Sequence, residues 1–299
     1  MKRQEDIHRI ISEYAEFVGT KEQFSQTPED TINPEDNYLE NFKQEDFTKQ
    51  FSNNVVARQI PGYWDFRKRH ATLLRLLAFN NMKILDIGSS AGDSALDMIY
   101  ALSSFDDIAH NYHHALQMGF QYDLLDVSES FNKKAKEDIE KTLEILSLSD
   151  KYQDKPMDIR INTILHEAVD YMYNFCPYDN YDIIICSLTA HFIPIMHRQK
   201  LYQGIFNALR PGGYFILTEK TLQNSVQADS IFTDLYHEEK SRLGMSDKAI
   251  QNKYDSLPQF LHPLTVKANE EMFQQAGFPT SDIVWKNLSF ATFLMQKPS

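Results

Sequence analysis

Cysteine is scarce in this chain: Cys176 and Cys186 are the only two among 299 residues. Two thiols cannot build a disulfide framework or a four-cysteine zinc site, and both stand beside apolar stretches where free cysteine is commonly buried. Long apolar runs are missing as well. Nothing approaches the roughly 18 consecutive apolar residues of a membrane span, and mean hydropathy is -0.46, so no membrane partner is expected. Positive charge is in deficit, with 30 basic against 42 acidic residues and a net charge of -12. A phosphate backbone would be repelled by that field, and no basic cluster opposes it, so direct nucleic-acid binding is not expected. The opening MKRQEDIHRIISEY lacks the apolar core and cleavage site of a secretory signal, which leads us to expect a cytoplasmic protein. Internal repeats and long low-complexity segments are also absent.

What is present is an ordinary globular composition, 42% hydrophobic and 24% charged, at a length that allows one large domain or two small ones. Residues 1–60 form a distinct arm. Its first 50 residues hold 12 acidic and 6 basic side chains, half of the whole net charge. A helical spacing in ISEYAEFV precedes the polar, turn-rich QTPEDTINPEDNYLENFKQEDF, so the arm is either a solvated tail or a lid. From about residue 61 the pattern becomes regular. RKRHATLLRLLAF reads as a helix and KILDIG as a buried strand, and further strands are predicted at YDLLDV, IRINTIL, YDIIICSL and GYFILTEK with helices between most of them. Alternating β and α with apolar strands implies a parallel sheet covered on both faces, a doubly wound Rossmann-like α/β domain over 61–299. The alternation lapses at residues 221–260, read as a helical cap. A helix in TVKANEEMFQQAG and an antiparallel strand pair, SDIVWKNLS with FATFLMQK, complete the tail.

The segment ILDIGSSAGDSALDMI carries the chemistry. A strand ends at Asp86, Ile87 and Gly88, and the chain turns through Ser89, Ser90, Ala91 and Gly92 into a helix. A dinucleotide site wants G-x-G-x-x-G so that pyrophosphate can press on backbone amides, but the second and third glycine positions are here Ser90 and Asp93. D-x-G-x-x-x-G suits an amino-acid-and-nucleoside ligand without phosphates, with Asp86 attracting its ammonium group. That ligand is S-adenosylmethionine. The next strand ends at Asp126, followed by Val127, where a carboxylate can accept both ribose hydroxyls or else cap the following helix. His166 and Glu167 fall where an adenine edge would lie, and the strand ending near Ser187 faces the donor sulfur.

This set, in this order, resembles the Rossmann-like (class I) S-adenosylmethionine-dependent methyltransferases. RQIPGYWDF, TAHFIP, LRPGGYFILTEK, LYHEEKSRLG and the ending FQQAGFPTSDIVWKNLSFATFLMQK resemble one branch more closely, the carboxy-S-adenosylmethionine synthases of tRNA wobble-uridine modification. Those enzymes convert S-adenosylmethionine and prephenate into a carboxylated sulfonium. The resemblance implies that Tyr63, Gly88, Asp126 and Ser187 contact the cofactor and that the protein is a homodimer. It also implies a carboxylate-binding arginine in the cap segment HEEKSRLG. Ungapped alignment puts Ser241 there and an arginine one place on, at Arg242, about 100° round a helix. Ser187 stands where the family has asparagine, and Gly92 to Asp126 spans 34 positions, more than a compact βαβ unit needs. A carboxylated sulfonium without a guanidinium partner loses its bidentate contact. The sequence therefore favours methyl transfer from S-adenosylmethionine to a small-molecule acceptor. The alternatives are a true carboxy-S-adenosylmethionine synthase and a non-catalytic S-adenosylmethionine-binding protein.

Candidate bases are His191, His237 and Tyr63, with Arg242 as a substrate-binding candidate. His191 also reads as an interior hydrogen-bonded residue, and His237 as part of a solvated helix face. His110, His113 and His114 are spaced for one helix face but have no carboxylate to complete a metal site, so no metal is expected.

Overall fold

The computed structural model describes residues 53–103, 119–148, 158–256 and 261–299. The arm up to residue 52 and the cluster of His110, His113 and His114 lie outside these residues. A short helix α1 (Asn53–Gln59) leads into α2 (Tyr63–Leu77), and the alternating unit follows: β1 (Met82–Ile87), α3 (Asp93–Ser103), β2 (Phe120–Asp126), α4 (Glu129–Ser147), β3 (Ile159–Leu165) and the single turn α5 (Ala168–Asp170), which runs on as a π-turn over Tyr171–Phe175. Then come β4 (Tyr181–Ser187), a 3₁₀ turn at Ala190–Phe192, α6 (Ile195–Ala208) and β5 (Leu209–Leu222). The cap contributes α7 (Val226–Arg242) and α8 (Asp247–Ser256), and the tail β6 (Leu264–Thr265), α9 (Val266–Ala276), β7 (Asp282–Asn287) and β8 (Phe290–Gln296).

The main sheet runs β3-β2-β1-β4-β5-β8-β7, with β6 beside β5. Strands β1 to β5 pair in parallel, while β8 is antiparallel to both β5 and β7. Successive residues of a strand point to opposite faces, so strands covered on both sides must be apolar throughout. On one face Leu85, Ile87, Ile184, Cys186, Phe215 and Leu217 share a core with residues of α6 and α9. On the other, Ile84, Tyr122, Leu124, Ile183, Ile185 and Ile216 pack with Leu74 of α2, Met98 of α3 and Ile139 of α4. Each fully buried aliphatic side chain contributes roughly 1.5 to 3 kcal/mol. Order reverses between β1 and β4, which places the ligand crevice of such a sheet outside their carboxyl ends.

A third, smaller cluster closes that end. Ala57 of α1, Tyr63 and Phe66 of α2, Tyr236 of α7, Trp285 of β7 and Phe290 of β8 are buried together. The Tyr236 hydroxyl donates to the Gln59 carbonyl at 2.6 Å, and Trp285 Nε1 donates to Asp65 at 2.8 Å. The cap is thus fastened to the chain just before α2.

Two local expectations change. IRINTIL is an edge strand, exposed or half-exposed at every position, because among the described residues no strand pairs on its outer side. The strand read at GYFILTEK begins four residues earlier, at Leu209. LRPGG is the start of β5 itself, and the extra residues are absorbed by a register shift as Tyr181 pairs Leu209 while Ile183 pairs Tyr214.

Candidate functional site

The turn after β1 is built by close packing. Gly88 (φ +67°) and Gly92 (φ +78°) both occupy the left-handed region, where a side chain is strained. A Cβ on Gly88 would stand 2.2 Å from Thr189 Oγ1, and one on Gly92 would stand 2.9 Å from Ile139 Cδ1 and 3.0 Å from Ala135 Cβ. These glycines let the loop press against the chain after β4 and against α4. The contact that forbids a side chain at either position comes from the protein.

Parallel register puts the polar residues of the crevice on one face. Asp86 pairs with Leu124 and Ile185, Ile185 pairs with Ile216, and Ser187 with Thr218. Counting by twos, Asp86, Asp126, Ser187 and Lys220 project on the same side at the carboxyl ends of four strands. Asp126 Oδ2 accepts the Ser90 N–H and Oδ1 the Ser128 N–H, each at 2.9 Å. The helix cap we weighed for Asp126 belongs to Ser128, whose hydroxyl accepts from Phe131 N at 3.3 Å. Each carboxylate oxygen of Asp126 keeps further accepting capacity, and Val127 beside it is half-buried. Burial raises the Asp126 pKa against the pull of those N–H groups.

Asp86 is 2% exposed, and burial pushes its pKa up to about 8, with Asp93 and Asp126 adding to the effect. Among the described residues its Oδ2, like the hydroxyls of Ser89 and Ser187, is buried with no hydrogen-bond partner. Orphaned buried polar atoms are uncommon, and each leaves about 1 to 3 kcal/mol of desolvation uncompensated. Three of them at the ends of two adjacent strands fit a polar ligand that brings donors and acceptors of its own. An ammonium group would satisfy Asp86 and hold it ionised.

Tyr63 is carried in by α2 and anchored by a residue that the sequence reading missed. Arg67, one turn on, donates to the Tyr63 hydroxyl at 2.9 Å and bonds both oxygens of Asp97 on α3. It also lies 3.6 Å from Asp93, so the acidic side chain set against pyrophosphate is partly offset. The only sequence signal was the i, i+4 spacing of Tyr63 and Arg67 on one helix face.

Other candidates fall elsewhere. His191 is 4% exposed, its Nδ1 accepts the Lys220 N–H at 3.0 Å, and burial beside Arg198 and Lys220 drives its pKa down to about 3. The interior, hydrogen-bonded alternative describes it, and it has no access to take a substrate proton. Glu167 spends both carboxylate oxygens on Val169 N and Asp170 N, capping α5. Those bonds fix its carboxylate as the cap of α5. His166 packs its ring 5.1 Å from that of Phe175, and its backbone N–H donates to the Asp126 carbonyl at 3.2 Å, so it stands beside the Asp126 turn. His237 packs edge-on to Tyr254 at 5.1 Å on the cap, with its pKa lowered by burial and by Lys240 and Lys220. Arg242 is exposed and ion-paired to Glu238 at 2.6 Å and Glu239 at 3.5 Å. It does not reach the crevice. Among the described residues no helix is long and apolar enough to cross a membrane, and no cluster of His, Cys, Asp and Glu could hold a metal ion.

Solved structures share this architecture. The phosphoethanolamine N-methyltransferase 2 of Haemonchus contortus, in complex with phosphomonomethylethanolamine and S-adenosylhomocysteine, superimposes with a TM-score of 0.52 at 14% identity over 89% of this chain and 62% of that one. Human N-acetylserotonin methyltransferase in complex with SAM gives 0.50 at 15% identity over 90% of this chain and 61% of that one. This chain has the class I S-adenosylmethionine-dependent methyltransferase fold. No protein-family model matches it. Curated proteins similar in sequence over most of this methyltransferase-fold chain carry a different activity in their names. The carboxy-S-adenosyl-L-methionine synthase of Nautilia profundicola is 24% identical over 85% of this chain and 95% of its own length. Those of Desulfotalea psychrophila and Staphylococcus epidermidis are 24% and 27% identical, over 90% and 86% of this chain and 97% and 96% of theirs.

Proposed function

We propose that this protein is a carboxy-S-adenosylmethionine synthase, an enzyme that uses S-adenosylmethionine and a carboxylate-bearing second substrate to make a carboxylated sulfonium. The observation that carries this reading is the extent of the similarity to curated synthases, which covers 85% to 90% of this chain and 95% to 97% of their length. The crevice supports it. In this reading Asp86, buried with an orphaned oxygen, takes the ammonium group, Asp126 the ribose hydroxyls and Ser187 the neighbourhood of the sulfur, with Tyr63 of α2 as a further cofactor contact. Bound S-adenosylmethionine supplies an activated carbon on a sulfonium. The protein's part is to hold that centre dry and to orient the second substrate.

Methyl transfer to a small-molecule acceptor is the second reading, favoured by one observation: the cap arginine, Arg242, is turned to solvent and neutralised by two glutamates. One experiment separates the two. The purified protein is incubated with S-adenosylmethionine and prephenate, and the nucleoside products are weighed by mass spectrometry. A product heavier by one carboxyl group supports the synthase. Unchanged S-adenosylmethionine, with S-adenosylhomocysteine appearing only when a methyl acceptor is supplied, overturns it. Tight binding with no turnover of either kind would mark a non-catalytic sulfonium-binding protein.

A further inference from the structure

A synthase needs a cation for the carboxylate, and Arg242 does not provide one in the crevice. We infer that the ammonium group of Lys220 is the anion site, receiving an organic carboxylate on the second substrate or on the carboxylated sulfonium. The inference rests on the synthase reading above.

Lys220 lies two residues beyond Thr218, the partner of Ser187, and on the same face. Its backbone is therefore about 5 Å sideways and about 7 Å further along the strand direction from Ser187, on the rim beyond the donor strand. The backbone is fixed there because the Lys220 N–H donates to buried His191 at 3.0 Å. The side chain rests on the cap, with Nζ 5.0 Å from the ring centroid of Tyr236. That ring is held in turn by its hydroxyl bond to Gln59 and by Lys240, whose Nζ lies 4.1 Å from the same centroid.

The charge on Lys220 is poorly compensated. Among the described residues no carboxylate forms an ion pair with it. Asp229 acts on it electrostatically without pairing, and Oδ1 of Asp229 accepts the Gln223 N–H at 3.1 Å. Desolvation outweighs that influence and lowers its pKa. A desolvated ammonium on an aromatic face, with unused N–H donors and no anion of its own, is the environment in which a ligand carboxylate gains most from a charge-assisted hydrogen bond. Arg242 is the contrast, since its charge is already satisfied in water.

The test uses the full chain and two probes, S-adenosylmethionine and its carboxylated counterpart, titrated calorimetrically into wild type and Lys220→Met. Methionine keeps the apolar stem on Tyr236 and removes only the charge. Wild type is expected to prefer the carboxylated probe. Lys220→Met is expected to lose about tenfold or more of that preference, while affinity for S-adenosylmethionine changes less than about threefold on the same scale. Lys220→Arg should retain most of the preference, and Lys220→Gln should repeat the loss if methionine compromises folding. An undiminished preference in both neutral variants, or none in wild type, overturns the assignment. The prephenate assay on wild type is independent: turnover with an unchanged preference in the variants removes Lys220 and leaves the synthase reading, and the reverse pattern removes the synthase and leaves the anion site.

Discussion

Arg67 and Asp97 face one another across α2 and α3 with side chains only 5% and 1% exposed. Both carboxylate oxygens are engaged, and the same guanidinium donates to Tyr63. This couples Tyr63 on α2 to the helix that follows the Asp86 turn. A buried pair broken on one side leaves an uncompensated charge at a cost of about 3 to 5 kcal/mol. Arg67→Met should lower stability by that order in urea denaturation, and Asp97→Asn by less. Because the Tyr63 hydroxyl loses its donor, Arg67→Met should also weaken S-adenosylmethionine binding. The double variant Arg67→Met/Asp97→Leu should recover most of the stability without recovering the binding, which separates packing from positioning.

A second prediction concerns pH. In the unfolded chain Asp86 titrates near 4, and in the fold burial moves it to about 8. Between those values the native state holds a proton that the unfolded chain has lost. The contribution to stability is full below about pH 4, declines as pH rises and is gone above about pH 8. The free protein should therefore lose melting temperature from pH 5 to 8, and Asp86→Asn should flatten that decline. A ligand ammonium reverses the preference by favouring the carboxylate. Affinity for S-adenosylmethionine should rise toward pH 8, by at most about tenfold per unit, with a proton released on binding. Calorimetry in buffers of different ionisation enthalpy measures the release, and Asp86→Asn should abolish it.

Much of this architecture was legible because local pattern and global packing agree. IRINTIL matches β3 residue for residue, the tail hairpin forms as expected, and Gly277 ends α9 in the left-handed conformation. The turn residues Asp86 and Asp126 were also visible, since a strand, a glycine and a helix start occur in fixed order. What pattern could not show was partnership over long separations. Arg67 finds Asp97 30 residues away, and Tyr236 finds Gln59 177 residues away. Nor could pattern tell a free histidine from an occupied one. His191 reads as a base by type and place, and only the backbone N–H of Lys220 shows that its acceptor nitrogen is used.

That occupancy yields a third prediction. His191→Ala leaves the Lys220 N–H unsatisfied in a buried place and should cost about 1 to 3 kcal/mol of stability. His191→Asn can place an oxygen near the same position and should cost less. If His191 were the proton acceptor in turnover, both would lose about 10²-fold to 10⁴-fold in kcat. The geometry predicts instead that His191→Asn stays within a few-fold of wild type on that scale, with an unaltered pH profile. A folded His191→Asn protein with a hundredfold loss and a missing acidic limb would restore His191 as the base.

The fourth prediction separates two reasons for a glycine at the β1 turn. At φ +67° an alanine costs about 1 to 2 kcal/mol in backbone strain, and its Cβ would overlap Thr189 Oγ1, Cγ2 and Cβ, all within 2.8 Å. Overpacking of that kind adds about 1 to 3 kcal/mol. Gly88→Ala should therefore destabilise the ligand-free protein, and Gly88→Ala/Thr189→Gly should be more stable than the sum of its single variants implies, by the overpacking part alone. The cycle is read from chemical denaturation without ligand. If the glycine is instead there to admit the sulfonium compound, Gly88→Ala will fold with near-normal stability and fail only in binding, and the coupling to Thr189 will vanish.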